Sequence, residues 1–558
     1  MSRLVALGAF AGLTWIAPLA AQESIESRVD RVFADISAGQ PGCSLAVTRA
    51  GEPVHLRGYG TANLEYGVPI TSSSVFHVAS VSKQFTAMAV ALLVAEGHVN
   101  WQDDVRKYIP KVPDFGKPIT LRHLVSHTSG LRDQWDLLAL AGWRFEADVI
   151  TQADVLDITA RQRAANFDPG AEYLYSNTGF TLLAIVVERV SGESLRAFTT
   201  KRIFGPLGMT ATHFHDDHNM VVPNRAYGYT RAGDGYRLSI PDFDTVGATS
   251  LFTTAEDLAK WDRNFITAQV GGRAVQDDLH TRGVLSSGET IAYAAGLTHG
   301  QYRGLATVGH GGADAGYRSD VVRFPSANVS IAVLCSFPNA DPGGRARRVA
   351  DVVLDGKLGP APAPAATSGA PQGITLPAAR LETLVGVYAR DDSDALVSLR
   401  VQDGALVSGV GQGPGARVVA LASDRLRLGQ TEVRVIDGPD GVVSLLGMVD
   451  GRERSLQKIG PAPADAATRA EYVGTYWSVD LGVEYHVELA DGRLQLRSRK
   501  TGAAPLVPRA LDRFGARNQS ITFTRDASGR IDGYTVSTGR VRKVRFDRNP
   551  TAAGRDRL

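Results

Sequence analysis

The C-terminal third of the chain contains two copies of one sequence pattern, which lie 88 residues apart without a gap. Residues 384–388, LVGVY, correspond to residues 472–476, YVGTY, and Asp403-Gly404 corresponds to Asp491-Gly492. Within each copy, apolar and polar residues alternate between Asp-Gly turns, as in antiparallel strands joined by hairpins. The repeat therefore restricts this third of the chain to two similar domains, which we predict to be small antiparallel β-barrels.

Two segments rich in proline and alanine separate these copies from each other and from the rest of the 558-residue chain. Such segments are typical of extended linkers. They predict a large domain at 22–357, a linker at 358–376, a first β-barrel at 377–459, a linker at 460–469 and a second β-barrel at 470–558.

The large domain mixes strand-like and helix-like patterns. Apolar strand-like runs lie near its start, as at 44–49, and near its end, as at 330–336. Helical patterns fill its middle, including 181–190 and 255–264. Strands at both ends with helices between them predict an α/β (α+β) domain, in which one antiparallel sheet is built from both chain ends and packed with helices.

The N-terminus has the pattern of a secretory signal peptide. Arg3 supplies a positive charge, residues 4–16 are almost wholly apolar, and small residues favour cleavage after Ala21. We therefore predict a signal peptide at 1–21, a periplasmic or secreted mature protein, and no stable membrane insertion after cleavage. A formal net charge of +2 without a long basic block indicates that nucleic acid is not a partner.

The chain has two cysteines, Cys43 and Cys335, and each lies in a short apolar run that is typical of a buried strand. Buried thiols are favoured here over a disulfide, although neighbouring strands in an exported protein would allow one. Two cysteines do not make a zinc cluster by themselves. The strongest metal candidate is the run His213–His218, but its position after a helix end favours a solvated loop, and we predict neither a metal nor another cofactor.

Ser80 and Lys83 place a hydroxyl nucleophile and an amine one helical turn apart. The predicted helix at 80–96, which is closed by Gly97, puts both side chains on one face. A lysine that burial or nearby cations keep neutral is able to take the serine proton. Ser80 also lies at the predicted helix N-terminus, where free N–H groups stabilise an oxyanion. Alone, the pair is weak evidence, because a serine near an N-cap and a solvated lysine give the same spacing.

Two further groups complete the candidate chemistry. Tyr175 and Asn177 precede an apolar helix, where a tyrosine near cations is able to act as general base and then as acid, and an amide is able to bind a substrate carbonyl. The run from His310 to Ala313 contains glycines that allow a substrate backbone to approach a strand edge. The Ala313 N–H is a candidate oxyanion donor beside that of Ser80. Taken singly, a tyrosine packed on the core and a glycine-rich hairpin explain these patterns as well.

Together, Ser80-x-x-Lys83, Tyr175-x-Asn177 and His310-x-Gly312 resemble, in order and approximate spacing, the class C beta-lactamase-like serine hydrolases. Residues 124–131 and 167–177 also resemble signatures of that family, so the resemblance covers about residues 24–355. It implies a beta-lactamase/transpeptidase-like catalytic domain.

The same resemblance implies roles for the motif residues. Ser80 would be the acylated nucleophile, and Lys83 and Tyr175 would move its proton and that of the leaving group, with the choice of acylation base left open. The substrate site would be lined by Asn177, His310, Gly312 and Ala313.

The family includes beta-lactamases, D-alanyl-D-alanine carboxypeptidases, D-aminopeptidases and esterases. The first two classes usually have Lys-Thr-Gly where this chain has His310-Gly311-Gly312. A histidine is mostly neutral at pH 7, so a substrate carboxylate loses a cationic partner. The departure favours a small-molecule or short-peptide substrate that is a neutral amide or ester.

D-Aminopeptidases of this family also resemble the chain in plan, because two lipocalin-like barrels follow their catalytic domain and the second reaches toward the site. We therefore predict an exported serine hydrolase that is D-aminopeptidase-like and acts on D-amino-acid amides or peptides. The alternatives are a carboxylesterase, a D-alanyl-D-alanine carboxypeptidase or weak beta-lactamase, and an inactive penicillin-binding or sensor protein. Homo-oligomer formation is left open.

Overall fold

The computed structural model of the protein describes residues 23–360, 373–390, 396–409, 416–429, 431–438, 443–449, 452–463 and 465–548. The predicted signal peptide at 1–21 lies outside these residues, and so do most of the first predicted linker and the last residues of the predicted second barrel. None of the helices in the described part of the chain combines the length and the apolar character of a membrane-spanning helix.

The N-terminal domain contains short and long elements in the following order. Its strands are β1 Cys43–Arg49, β2 Glu52–Tyr59, β3 Thr61–Asn63, β4 Val68–Pro69, β5 Phe76–His77, β6 His213–Phe214, β7 Tyr229–Ala232, β8 Gly235–Leu238, β9 Leu251–Thr253, β10 Thr298–Tyr302, β11 Leu305–Asp314, β12 Tyr317–Phe324 and β13 Val329–Cys335. Its α-helices are α1 Ile25–Arg31, α2 Lys83–Ala95, α3 Leu121–Val125, α4 Gln134–Leu140, α5 Gln152–Ala160, α6 Asn177–Ser191, α7 Leu195–Thr199, α8 Gly205–Leu207, α9 Ala255–Thr267, α10 Gly272–Leu279 and α11 Pro342–Val353. Further helical turns are the 3₁₀ turns Ala79–Ser82, Val105–Lys107 and Pro325–Ala327 and the π-turn Thr200–Phe204.

The main sheet of this domain is antiparallel and six-stranded, in the order β10-β11-β12-β13-β1-β2. Both ends of the domain sequence contribute to it, as predicted. Side chains of a strand point alternately to opposite faces. In β1, Leu45 and Val47 therefore pack with α1 and α11 on one face, whereas Ala46 belongs to the larger helical core on the other.

The two cysteines form a disulfide, so the prediction of buried thiols is wrong. Cys43 and Cys335 are direct partners in the antiparallel pair β1–β13, with their Cα atoms 4.0 Å apart. Sequence alone places both residues in buried strands, but only the sheet order makes those strands neighbours. The bond ties the first strand of the sheet to a strand that lies 292 residues away.

The buried centre of the helical layer is α2 packed on α6. The helix predicted at 80–96 begins differently from expectation, because Ala79–Ser82 form a 3₁₀ turn and the α-helix starts only at Lys83. Ala79 has a φ of 49°, which is uncommon for a residue with a side chain. Ser80 therefore sits on a tight turn that enters a buried helix.

The two C-terminal domains have the same topology. The first contains α12 Ala378–Leu384, β14 Gly386–Arg390, β15 Leu396–Gln402, β16 Ala405–Gly409, β17 Ala416–Arg417, β18 Val419–Ala422, β19 Arg425–Leu428, β20 Thr431–Asp437, β21 Val443–Val449 and β22 Arg452–Ile459. The second contains α13 Ala466–Ala470, β23 Gly474–Ser478, β24 Val483–Ala490, β25 Arg493–Ser498, β26 Gly502–Pro505, β27 Val507–Ala510, β28 Arg513–Ala516, β29 Gln519–Arg525, β30 Ile531–Ser537 and β31 Val544–Arg548.

Each of these domains is one nine-stranded antiparallel sheet that curls into a nearly closed barrel, which confirms the predicted pair of β-barrels. The strand orders are β17-β16-β15-β14-β22-β21-β20-β19-β18 and β26-β25-β24-β23-β31-β30-β29-β28-β27. The predicted Asp-Gly hairpin turns are present, since Asp403, Gly404, Asp491 and Gly492 all have positive φ values. The second predicted linker, 460–469, is not extended throughout, because α13 begins inside it and ends one residue beyond it.

The second barrel packs against the N-terminal domain. Leu137 and Ile150 of that domain belong to the same apolar cluster as Tyr472 and Tyr485 of the second barrel, and the Tyr485 hydroxyl donates to the Leu140 carbonyl at 2.7 Å. The first barrel has an apolar cluster of its own. The core of the second barrel therefore continues into the N-terminal domain, whereas that of the first does not.

Candidate active site

Ser80 and Lys83 are in contact, as their spacing predicted. The Lys83 ammonium nitrogen Nζ donates to Ser80 Oγ at 3.0 Å. It also donates to Asn177 Oδ1 at 2.8 Å and to the Ala248 carbonyl at 2.6 Å. The lysine side chain is fully buried, so these three oxygens take the place of water around it.

Burial lowers the pKa of Lys83 to about 7, although the carboxylates of Asp314 and Asp133 oppose that shift and the Arg540 guanidinium supports it. Taking an ammonium out of water penalises its charged form. Near neutral pH a substantial fraction of Lys83 is therefore an uncharged amine, whose lone pair is able to accept the proton of Ser80.

The ring of Tyr175 lies against Lys83, but the pKa of Tyr175 is raised and not lowered as expected. Its ring centroid is 4.9 Å from Lys83 Nζ, and its hydroxyl is buried without a hydrogen-bond partner among the described residues. Burial raises the pKa of Tyr175, and the nearby Ser80 hydroxyl and Arg540 guanidinium only partly oppose this. Nearby cations were expected to lower the pKa of Tyr175, but desolvation of the phenolate is the larger effect. Tyr175 is thus protonated at neutral pH and is suited to donate a proton.

Two residues that the motif analysis missed hold the Tyr175–Asn177 segment in place. The Ser176 N–H donates to His127 Nδ1 at 3.2 Å, and the His127 ring lies 4.1 Å from that of Tyr175. Asp133 Oδ2 accepts from the backbone N–H of Asn177 at 2.7 Å and from its Nδ2 at 2.8 Å. His127 lies inside the family-like signature at 124–131, whereas nothing in the local sequence distinguishes Asp133 from an ordinary helix N-cap.

Gly312, two residues after His310, is required by the packing of the backbone around it. A side chain at Gly312 would bring a Cβ atom to 2.2 Å from the Val78 carbonyl oxygen and 3.1 Å from Ala79 Cβ. Gly312 therefore allows β11 to lie against the turn that carries Ser80, which places Ala313 at the same cavity as the nucleophile. The sequence predicted close approach of a substrate backbone, but here it is the protein's own backbone that approaches.

His310 uses both ring nitrogens inside the protein. Its Nε2 is 3.0 Å from the Tyr293 hydroxyl, and its Nδ1 is 2.6 Å from the Gly311 carbonyl. Burial lowers the pKa of His310 to about 4, supported by the Lys83 charge. The imidazole is therefore neutral at pH 7, with Nδ1–H donating to Gly311 and Nε2 accepting from Tyr293. It gives the site no positive charge for a carboxylate.

Ser80, Tyr175, Asn177, His310, Gly312 and Ala313 all line one cavity of about 990 Å³. An aromatic wall faces them, in which Trp135 stacks on Phe243 with ring centroids 4.6 Å apart and packs edge-on against Phe145. The second barrel contributes Arg540 to the same cavity. The structure thus brings every predicted site residue together, with only Lys83 buried behind the surface that the others form.

The histidine-rich run at 213–218 does not converge on one point. His213 and His215 pack against Phe252, with ring centroids 5.8 Å and 4.5 Å away. Within the described residues, the ligand atoms of Asp217, His218 and Asp244 lie within 4.8 Å of one another, and His218 Nδ1 is 3.0 Å from Asp244 Oδ1. His218 and Asp244 thus form a histidine–aspartate pair, and Asp217 lies beside it.

Comparison with known proteins finds a family model and a relative that match the N-terminal part of the chain. The Beta-lactamase family model matches residues 29–354, which include every predicted site residue. Penicillin-binding protein 4* of Bacillus subtilis (strain 168) is 29% identical over 299 residues, which are 50% of this chain and 65% of that protein. The chain thus spans less than two thirds of the length of that relative.

One further relative and one solved structure match the chain beyond its N-terminal domain. A D-aminopeptidase of Cereibacter sphaeroides (strain ATCC 17023) is 26% identical over 472 residues, which are 83% of each chain. Among solved structures, the octameric penicillin-binding protein homologue from Pyrococcus abyssi superimposes with a TM-score of 0.52 at 20% identity, and covers 86% of this chain and 98% of its own. The similarity to the Pyrococcus abyssi structure concerns the fold alone.

Proposed function

The chain belongs to the Beta-lactamase family, and from that premise we propose that it is a serine hydrolase that cleaves D-amino-acid amides or short D-peptides through an acyl-enzyme. The observation that carries the proposal is the hydrogen bond between Lys83 Nζ and Ser80 Oγ inside a buried site. A relative named D-aminopeptidase that aligns over 83% of the chain supports the substrate class.

In the proposed reaction, Ser80 Oγ attacks the carbonyl carbon of the amide while its proton passes to the neutral amine of Lys83. The carbonyl oxygen becomes an oxyanion, for which the N–H groups of Ser80 and Ala313 are the candidate donors. The C–N bond then breaks, and the leaving amine takes a proton from Tyr175 or Lys83. Water attacks the ester on Ser80 by the same route in reverse, which releases the acid and restores the hydroxyl.

The cavity suits a substrate with an apolar side chain and a free amine. Trp135, Phe145 and Phe243 offer an aromatic wall. Asp136 lines the same cavity, and its Oδ2 accepts from Thr538 Oγ1 and from the Arg540 N–H. In the part of the chain that the structure describes, Asp136 Oδ1 has no partner, so it is a candidate acceptor for a substrate ammonium.

The test compares D-phenylalanine amide with its L enantiomer, a short-chain p-nitrophenyl ester and a chromogenic cephalosporin. We expect preference for the D-amide, loss of turnover in Ser80→Ala, and an acyl adduct on Ser80 in the intact mass spectrum. Ester hydrolysis without amide hydrolysis would instead identify a carboxylesterase. Hydrolysis of the cephalosporin above all others would identify a beta-lactamase.

We also propose that the protein is exported by the signal peptide predicted at 1–21. The Cys43–Cys335 disulfide supports this, because such bonds persist mainly in oxidising compartments. N-terminal sequencing of the mature protein should begin at Gln22, and a chain that retains Met1 in the cytosol would contradict the proposal. Homo-oligomer formation is likewise a proposal, which sedimentation of the purified protein decides.

A further inference from the structure

One loop of the second barrel, residues 538–543 between β30 and β31, lies directly against the active-site segment 132–136; we call it the barrel loop. Arg132 Nη2 donates to the carbonyls of Arg542 and Lys543, and the Asp133 N–H donates to the Arg540 carbonyl at 3.4 Å. These hydrogen bonds hold the barrel loop next to the residues that surround Ser80.

Within that segment, Asp133 controls how Asn177 is oriented. Asp133 is fully buried, and its Oδ2 accepts from the Asn177 backbone N–H and from Asn177 Nδ2. An amide side chain has one donor end and one acceptor end. Because the carboxylate holds the Nδ2 end, Oδ1 faces Lys83 Nζ at 2.8 Å.

Arg540 of the barrel loop is the cation that faces this buried carboxylate. Its Nη1 is 3.5 Å from Asp133 Oδ2, and its guanidinium carbon is 5.2 Å from the ring centroid of Tyr175. Burial raises the pKa of Asp133, whereas Arg540 and the two Asn177 hydrogen bonds oppose that shift and the Asp136 carboxylate adds to it. The charge of Asp133 therefore depends on a residue from another domain.

A protonated Asp133 would damage the site. Its hydroxyl would be a donor facing the Asn177 amide, so the amide would gain by turning its oxygen toward Asp133 and its NH₂ toward Lys83. Lys83 would then meet a donor where it now meets an acceptor, and it would lose one of the three oxygens that hold it beside Ser80.

We propose that Arg540 is a positioning residue that keeps Asp133 ionised, so that Asn177 presents its oxygen to Lys83 and the site is complete only when the second barrel is docked. This inference rests on the proposed serine hydrolase function. The main route from Arg540 to the reacting groups runs through Asp133 and Asn177, beside its direct charge effect on Lys83 and Tyr175. Its effect is on the acylation rate rather than on substrate affinity.

The test measures labelling of Ser80 by a fluorophosphonate across pH in the full-length protein, because this reports on the nucleophile without knowledge of the natural substrate. Arg540→Ala should slow labelling about tenfold on the acid side of the profile, and the rate should recover at higher pH, where Asp133 ionises without its cation. It should also move the acid limb of the profile upward by about one pH unit, since a cation has left the neighbourhood of both Asp133 and Lys83. Arg540→Lys, which keeps the positive charge, should have a labelling rate and an acid limb close to those of the wild type.

Arg542→Ala is the matched control in the same loop. Arg542 Nη2 pairs with Glu172 Oε2 at 3.0 Å, and no contact joins its side chain to Asp133 among the described residues. We expect its labelling rate and acid limb to stay near those of the wild type. An equal loss in Arg542→Ala would show that only loop docking matters and would overturn the role of Arg540.

A double-mutant cycle identifies the route of the effect. In an Asp133→Asn background, Arg540→Ala should move the acid limb much less than in the wild type, because only the direct effect of Arg540 on Lys83 remains once residue 133 carries no charge. The same effect in both backgrounds would overturn the inference, as would an Arg540→Ala variant that changes only the half-saturating label concentration. A wild type that is not labelled at all would refute the proposed function itself, which separates the two failures.

Discussion

Lys83 is surrounded by oxygen acceptors and closed off from water, and this makes it the residue whose charge most affects the chemistry. Its pKa is lowered to about 7 by burial, whereas burial raises the pKa of Tyr175. Desolvation favours the neutral form of each group, but the neutral form is a base for lysine and an acid for tyrosine. The resting site thus assigns Lys83 as the acceptor of the Ser80 proton and Tyr175 as the donor.

The first prediction concerns pH. Lys83 is a base only when neutral, so acylation should increase with pH through about 7 and level off above it, with protonated Lys83 causing the loss below. The measurement is kcat/KM between pH 5 and 9. Lys83→Ala should lower the rate by about 10²–10⁴-fold and remove this limb. An acid limb near pH 4, characteristic of a carboxylate, would contradict the assignment.

The second prediction concerns His310 and substrate charge. His310 is neutral, because burial lowers its pKa to about 4 and its two nitrogens are used by Tyr293 and Gly311. His310→Lys should improve kcat/KM for peptides that end in a carboxylate, relative to neutral amides, by about tenfold through a charge-assisted hydrogen bond. A wild type that already prefers D-alanyl-D-alanine peptides would refute the argument.

At the scale of elements, the contact between β11 and the turn Ala79–Ser82 assembles the site. Gly312 faces the Val78 carbonyl, and Ser319 Oγ of β12 donates to that same carbonyl at 2.8 Å. Strands β11 and β12 of the sheet therefore both contact the chain immediately before the turn that carries Ser80. Ala79, with its positive φ, shows that this turn adopts a conformation that the surrounding contacts maintain.

The third prediction tests this contact. Gly312→Ala would place a methyl group 2.2 Å from the Val78 oxygen, so β11 must shift away from Ser80. We expect a loss of about 1–3 kcal/mol in the free energy of unfolding, as in other overpacked sites, together with slower labelling of Ser80. Gly311→Ala is the control for stability, since its new Cβ would meet nothing closer than 3.6 Å. Similar destabilisation by both changes would argue against a specific contact.

At the scale of the whole molecule, the second barrel and the catalytic domain form one unit. Arg132 Nη1 pairs with Asp480 Oδ2 at 2.9 Å, and both side chains are only 3% exposed. Arg163 donates to the other carboxylate oxygen at 2.7 Å. Removal of one partner from a buried pair leaves an uncompensated charge, which is far more costly than loss of a surface pair.

The fourth prediction follows from this ion pair. Asp480→Ala should lower the free energy of unfolding by about 3–5 kcal/mol in urea titration, because Arg132 is left buried without its carboxylate. Asp437→Ala removes an exposed pair with Arg380 in the first barrel and should cost about 0–1 kcal/mol. Equal effects of the two changes would mean that the buried Arg132–Asp480 pair adds no more to stability than an exposed pair.

The same interface changes what a truncated chain would do. A protein ending near Gly356 would lack both barrels. The apolar residues of the N-terminal domain that share a cluster with the second barrel, such as Leu137 and Ile150, would then be exposed, so we expect this protein to aggregate. Any soluble fraction should also label slowly at Ser80, because it lacks Arg540.

Local chemistry and the repeated architecture could both be predicted from the order of the residues. A three-residue spacing brings Ser80 to Lys83 whether the turn is α or 3₁₀, and the gapless repeat requires two barrels of one topology. The conformation of an Asp-Gly turn also depends on its own residues, so the two hairpin turns of the barrels could be predicted from the sequence. Such features depend on neighbours in the chain.

Contacts between residues far apart in the chain could not be predicted, because they depend on how strands and domains pack. The Cys43–Cys335 pairing depends on sheet order, and the proton affinities of Lys83 and Tyr175 depend on burial that no motif encodes. Asp133 and Arg540, which are 407 positions apart in the chain, meet only because the second barrel docks on the catalytic domain. Long-range contacts of this kind arise from the packing of whole domains, to which single residues give no local signal.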